Sequence, residues 1–488
     1  MATRRPTLLR GEALAAAVAT TSTLLIVLLA TRRVGAAGLL APLAIVAVAI
    51  LLRRPLVLVG LVVVLTAMCE GPTFGLLHFT SHLYDQIYKG LTPLDILVAL
   101  AVVAVGIDLI AHRRRPTVPR ALMVGLAMLV LAMVAGAVTG HAAGVSLRSV
   151  ALSENVLAYL LLLPLAISNL DIDRRQVSLV LGGAVAVAIV KAGLGVIEVL
   201  GHYGVPVEGS STLSYYEPAA NWLIMLAMLA VFAAVLGRAR PPVWMLLGAP
   251  LLIASLLLSY RRSFWIAAVL GLLLALLLGA TPTGRRLLVP VGLAIALATL
   301  LLGSVHFQAQ LPVVKRAESL APTSLETNAE DRYRLDERAN VLGEIRRHPI
   351  TGLGVAVPWE ASVQPLSVEH EEGRQYVHFA ALWYWLKLGI LGLVAYVSLL
   401  LGTGVLAWRV WRTSAEPMLR AFGLASLCGL AGLVVIETTA SFTGVDPRFT
   451  VLLGAQIGLL ALLARPTTLT ASSGEVSAGG SLQPQVLR

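Results

Sequence analysis

Apolar runs recur along the whole chain, at roughly 13–31, 34–52, 55–69, 91–111, 121–139, 155–169, 177–199, 218–236, 242–259, 264–280, 287–305, 380–407, 421–441 and 451–465. A helix that crosses a bilayer needs ~20 apolar residues, with a range of ~17–25. Most of these runs meet that length, and short polar connections separate them. The chain is 58% hydrophobic and 13% charged, against about 25% charged in an ordinary soluble domain. A soluble core cannot hide that much apolar surface, so the expected class is all-α: a polytopic membrane helix bundle of about 12–14 transmembrane helices. Lipid is therefore the first expected partner. The third, sixth and fourteenth runs are short, and only Arg32-Arg33 divides the first two.

Charge placement orients the bundle. Lys and Arg favour cytoplasmic connections. With the N-terminus inside, 20 Lys/Arg fall on the inner side and 7 on the outer side, leaving the long loop uncounted. The opposite orientation reverses that ratio. Both termini are then cytoplasmic, and Arg261-Arg262 stands at an outer span end against the bias. Eight of the nine histidines, all but His112, lie at or near the outer face. The net charge of +11 comes from basic pairs between spans, not from a basic stripe interleaved with aromatics, so no nucleic-acid partner is expected. Two cysteines, Cys69 and Cys428, argue against a disulfide framework or a thiolate metal site. No small-residue cleavage signal follows the first run, which reads as a retained span.

The longest break in the apolar pattern is Phe307–Val377, where 71 residues hold 19 charged side chains. The chain divides accordingly into 1–306 (about 11 spans), an extracytoplasmic loop 307–379 with short helices, C-terminal spans 380–465, and a disordered cytoplasmic tail 466–488. A polar loop held between spans is where a membrane protein can act on a polar substrate.

Three constellations carry candidate chemistry. Ser259-Tyr260-Arg261-Arg262-Ser263 joins two spans with almost no loop. Two guanidiniums there suit phosphate oxygens, as forks of planar donors; a snorkelling pair on lipid headgroups is the plainer reading. Positions 330–347, with Arg332, Arg334 and Arg338 among mixed charges and Leu335, Leu342 and Ile345, fit an amphipathic helix ended by Pro349 and followed by Gly352 and Gly354. A solvated helix on the membrane surface explains it equally well. Finally, Tyr376-Val377-His378-Phe379 leads into the next span, with His378 expected in its first turn and Gly389-x-x-Gly392 beyond. An imidazole there is a candidate proton acceptor; a cap and close helix packing are the alternatives. Trp383, Tyr384 and Trp385 read as an interfacial belt.

Other features are weaker. His78 and His82 have i,i+4 spacing, but Phe79 stands where a zincin glutamate would be. Lys191 and Glu198 share a face of one span, as an internal ion pair or part of a substrate path, and Glu437 is similar. Tyr215, Asn221 and Trp222 mark a span entrance, as sugar contacts or as part of the belt.

Together the ordered set Ser259-x-x-Arg262, an Arg-bearing helix running into Pro349-x-x-Gly352-x-Gly354, then His378 and Gly389-x-x-Gly392 resembles the O-antigen ligase/polymerase family of bacterial membrane glycosyltransferases (GT-C-like). The resemblance covers about residues 240–445. It implies a metal-independent enzyme of the bacterial plasma membrane that needs no cofactor. Its donor would be a polyprenyl-diphosphate-linked glycan and its acceptor a glycan, lipid or protein hydroxyl on the extracytoplasmic face. By position, His378, Arg262 and Arg334 are the implied catalytic residues, and Arg261, Arg338, Arg332 and Tyr376 the implied substrate contacts. The loop arginine stays open among Arg332, Arg334 and Arg338, because the tryptophan that sets the family's register is missing. Phe379 stands where the family usually has Asn, Ser or Gln. Two other classes compete: a transporter or flippase of a lipid-linked or anionic solute, using Lys191, Glu198 and Glu437, and a non-catalytic envelope-assembly scaffold.

Overall fold

The computed structural model describes residues 41–71, 76–87, 90–206, 213–215, 217–237, 239–279, 329–366 and 373–465. Thirteen α-helices fall among them: α1 Ala41–Leu52, α2 Pro55–Met68, α3 Pro93–Ala111, α4 Arg120–Ala142, α5 Leu147–Ser168, α6 Arg174–Leu200, α7 Pro218–Leu236, α8 Val243–Leu258, α9 Arg262–Gly279, α10 Ala329–Arg347, α11 Ala380–Thr413, α12 Pro417–Glu437 and α13 Pro447–Leu463. The one described sheet is a two-residue antiparallel pair, β1 Val205–Pro206 with β2 Leu213–Ser214. The all-α polytopic class is therefore correct.

Eight described helices are long and apolar enough to cross a membrane. The expected runs 34–52 and 55–69 are not two straight spans. Val46–Leu52 and Pro55–Met68 meet at 106° and together amount to at most one. Pro55 stands at the start of α2, where its missing N–H costs nothing and the preceding helix must stop. α8 and α13 are short, at 16 and 17 residues. The runs 13–31 and 287–305 and the tail 466–488 lie outside the described residues.

Side-chain caps fix the starts of several helices. Thr92 and Asp95 form a capping box at α3, as do Asp173 and Gln176 at α6. At one end of the bundle, buried ions tie the helices together. Lys191 of α6 bonds Glu70 after α2 at 2.8 Å, with side chains 1% and 0% exposed. It does not pair with Glu198, whose carboxylate instead accepts the Leu76 N–H at 3.3 Å. Arg448 of α13 bridges Glu217 (2.6 Å) and Asp446 (3.2 Å). A charge buried among apolar helices is retained only with such partners.

α11 is the element that shapes the site end. It runs 34 residues but breaks at Gly389, where φ is 67° and ψ is −166°. The break removes the helical bond between the Ile390 N–H and the Leu386 carbonyl. Both freed groups are taken by the turn after α10: Ile390 donates to the Ile350 carbonyl (3.0 Å), and Leu386 accepts from the Leu353 N–H (2.7 Å). Inside a bilayer an unsatisfied backbone group costs several kcal/mol, so irregular backbone must find partners in protein. Gly352 has φ +67°, and a Cβ on it would lie 2.5 Å from the Leu386 oxygen. A Cβ on Gly389 would overlap the Ile350 carbonyl oxygen. The Pro-x-x-Gly-x-Gly and Gly-x-x-Gly motifs are thus two sides of one backbone interlock. Gly389→Ala carries about 1–3 kcal/mol of backbone strain and an overlap of about 1–3 kcal/mol. The expected result is a markedly lower melting temperature in detergent; an unchanged one would refute the interlock.

Several expectations are corrected here. Trp383 and Tyr384 are 7% and 0% exposed, packed inside the bundle rather than in an interfacial belt, and Trp385 donates to the Pro349 carbonyl. Tyr215, Asn221 and Trp222 are fully buried; Trp222 packs on Phe449 and does not mark an exposed span entrance.

Candidate functional site

Each side chain of the site is held by a local device. The Ser259-Tyr260-Arg261-Arg262 turn joins α8 to α9 without a loop. Ser259 Oγ donates to the Leu256 carbonyl (2.6 Å) and accepts the Arg261 N–H (3.3 Å), which closes the turn on itself. Tyr260 takes the left-handed conformation, φ 49°, to make the reversal. Its ring packs against Trp265, and burial pushes its phenol above the usual range. A hydroxyl at 259 is thus what lets two spans meet with an arginine pair at their junction.

α10 is not a solvated surface helix. Leu335, expected on its apolar face, is 56% exposed, whereas Asp331, Glu337, Asn340 and Glu344 are buried. The helix turns its polar stripe inward. Asn340 clamps the segment that follows, accepting the Val363 and Gln364 N–H groups at 2.7 and 2.9 Å. Asp331, Arg334 and Glu337, spaced i, i+3, i+6, line one side.

That stripe joins residues far apart in sequence. Arg262 Nη2 donates to both oxygens of Asp331, at 2.8 and 2.9 Å. Arg334 Nη1 lies 3.6 Å from the same carboxylate. Two turns on, Glu337 accepts the His378 backbone N–H at 2.8 Å and faces His378 Nδ1 at 3.1 Å. An ionised carboxylate only accepts, so Nδ1 donates to it and Nε2 is left as the acceptor. His378 precedes α11, two residues before its first helical residue, and is not in its first turn. Tyr376 and Tyr333 present ring edges to the imidazole, at 4.8 and 5.9 Å between centroids. Trp359, fully buried, donates to the Tyr376 carbonyl (2.9 Å) and fixes the segment that delivers His378.

The arginines separate by position. Arg262 and Arg334 converge on Asp331. Arg261 lies over the Phe442 ring, 5.5 Å from its centre. Arg338 is exposed and lies 5.8 Å over Phe379, beside His378, while Arg332 points to the exposed side of α10. Arg334 is therefore the loop arginine closest to the Arg262 cluster. Sequence reasoning missed Asp331 and Glu337. Both stand at helical spacing from Arg334, the one signal available beforehand. The surface groove lined by Arg175, Ser178 and Glu416 holds none of these residues.

Chemically, the arrangement offers guanidiniums for an anion at one end of the stripe and an oriented imidazole at the other. Six residues of helix separate Asp331 from Glu337, or about 9 Å.

No curated protein matches the chain. Residues 247–397 match the family model described as O-antigen ligase. The matched segment runs from α8 into α11 and contains Arg262, Arg334 and His378, and it supports membership of the chain in the O-antigen ligase family.

Proposed function

We propose that this protein transfers a saccharide from a polyprenyl-diphosphate carrier to an acceptor hydroxyl, on the extracytoplasmic face of the bacterial plasma membrane. The single observation that carries the reading is the α10 stripe, which draws Arg262 and Arg334 to one carboxylate and His378 to another. In the reaction, Arg262 and Arg334 hold the diphosphate, with Asp331 fixing their geometry in the resting site. The bond from the anomeric carbon to the phosphate oxygen breaks, and its electron pair leaves with the polyprenyl diphosphate. The acceptor oxygen bonds to that carbon and gives its proton to His378 Nε2. Guanidiniums, rather than a metal, take up the charge on the leaving group. Preorganised donors at a dry site are worth far more than in water.

The charge balance of the connections supports the extracytoplasmic placement. The span ions that favour a transporter are engaged elsewhere: Lys191 is tied to Glu70, and Glu437 accepts both the N–H and the hydroxyl of Thr443. The test is reconstitution in proteoliposomes with a lipid-linked saccharide, an acceptor and a chelator. The expected result is release of polyprenyl diphosphate in step with new glycosidic bonds. Movement of the lipid-linked saccharide across the bilayer with no new bond would overturn the reading.

A further inference from the structure

The connection Thr438–Asp446 between α12 and α13 lies outside the matched segment 247–397, yet it touches both halves of the candidate site. On the histidine side, the Ser441 N–H donates to Tyr376 Oη (3.0 Å) and the Ser441 hydroxyl to the Val377 carbonyl (2.5 Å). Those are the two residues before His378. On the arginine side, the Arg261 guanidinium sits over the face of Phe442.

The connection is held rigidly between these contacts. Phe442 is 8% exposed, stacked on Phe449 at 5.3 Å and packed against Phe264 at 6.3 Å. The Thr443 N–H and hydroxyl both donate to Glu437, at 2.9 and 2.7 Å. The Gly444 N–H donates to Thr450 Oγ1 at 2.9 Å. Asp446 is fixed to Arg448, which reaches Glu217. A short segment pinned at both ends and in contact with both sides sets the distance between them.

The ring is suited to this task. An aromatic face attracts a guanidinium through its quadrupole, and it does so without consuming an N–H donor. An arginine whose rotamer is already set loses less freedom on gripping an anion. A leucine of similar bulk fills the space but does not orient the charge.

We propose that Phe442 is a positioning residue for Arg261, presetting its guanidinium for the diphosphate of the donor. This inference rests on the donor reading above. It is tested with undecaprenyl diphosphate as probe, by measuring its dissociation constant for the full chain in nanodiscs. The variants are Arg261→Ala, Phe442→Leu, Phe442→Tyr and the double variant Arg261→Ala/Phe442→Leu. Phe442→Leu is expected to weaken binding roughly tenfold, within the range of a cation–π contact. Phe442→Tyr, which keeps the ring, is expected to stay within about twofold of wild type. Added to Arg261→Ala, Phe442→Leu is expected to cost nothing further, because coupled residues are not additive. Phe442→Met serves the same comparison if the leucine variant is not recovered folded. Multiplying losses in the double variant, or wild-type affinity in Phe442→Leu while Arg261→Ala weakens binding, would overturn the proposal. Wild-type protein that does not bind the probe at all would refute the donor reading itself.

Discussion

Transfer falls by at least about 10²–10³-fold when Arg262 is replaced by alanine, the loss seen when one donor to a developing oxyanion is removed. The substitution alone is ambiguous, because Arg262 also neutralises a buried partner. Its side chain is 12% exposed and that of Asp331 is 8% exposed. Removing one member of such a pair strands the other and destabilises by about 3–5 kcal/mol. A dead Arg262→Ala protein is therefore as consistent with a collapsed α10 as with a lost phosphate ligand. The double variant Arg262→Ala/Asp331→Asn separates the two. It removes the stranded carboxylate and is expected to recover the thermal stability of wild type while remaining inactive. Arg262→Lys adds a second constraint: it retains a charge but not the planar fork, and is expected to keep pairing with Asp331 while losing most of the transfer rate. Activity restored in the double variant would mean that Arg262 serves only to hold α10, and the donor site would have to be sought elsewhere.

Much of this was legible in the sequence, and the reasons differ by element. The spans were readable because a bilayer imposes a length and a polarity on any helix that crosses it. The Arg261-Arg262 turn stood out because charge at an outer span end opposes the surrounding pattern, and His378 because it stands where the long polar loop returns to an apolar run. The α10 helix was readable in extent, but its inward face was not. Amphipathic reasoning assigns apolar residues to the buried side, and here Leu335 is exposed while Asp331, Glu337 and Asn340 are buried. The rule holds only in part: Val341 and Ile345 are buried in the core, but the polar side is buried as well, because it meets an arginine at the start of α9 and a histidine before α11. Sequence departs from local expectation in this way at functional sites. Lys191 and Glu198 illustrate a different limit. Their i,i+7 spacing places them on one face, but Glu70, 121 residues away in the chain, is the actual partner of Lys191. Long-range pairing of single charges has no local signature. The break at Gly389 was likewise invisible as a break; only the glycine spacing was visible, and its meaning depends on the turn at Ile350–Leu353 that interlocks with it.

The second large effect is expected at the other end of the stripe. His378→Ala lowers the rate of transfer by about 10²–10⁴-fold, the usual contribution of a positioned proton acceptor, while the affinity for undecaprenyl diphosphate stays at the wild-type value. That split follows from the geometry: the arginines meet at Asp331, about 9 Å of helix away from Glu337, so an imidazole that acts on the acceptor leaves donor binding untouched. Glu337 makes the prediction stricter. Its carboxylate accepts both the backbone N–H and Nδ1 of His378, and so fixes the ring with Nε2 turned to the acceptor. Glu337→Gln retains shape and one acceptor oxygen but brings an amide donor that competes for the same contacts. It is expected to lower kcat with donor affinity unchanged, and by less than His378→Ala, because the imidazole is still present but held less well. Combined with His378→Ala, Glu337→Gln is expected to add no further loss, since a residue that acts through the histidine has nothing left to position. Added imidazole is expected to restore part of the rate to His378→Ala and none to Arg262→Ala. A His378→Ala protein that transfers at the wild-type rate, or one that loses donor affinity in proportion to rate, would remove the histidine from the chemistry and leave the Glu337 contact as a structural clamp on the entrance to α11.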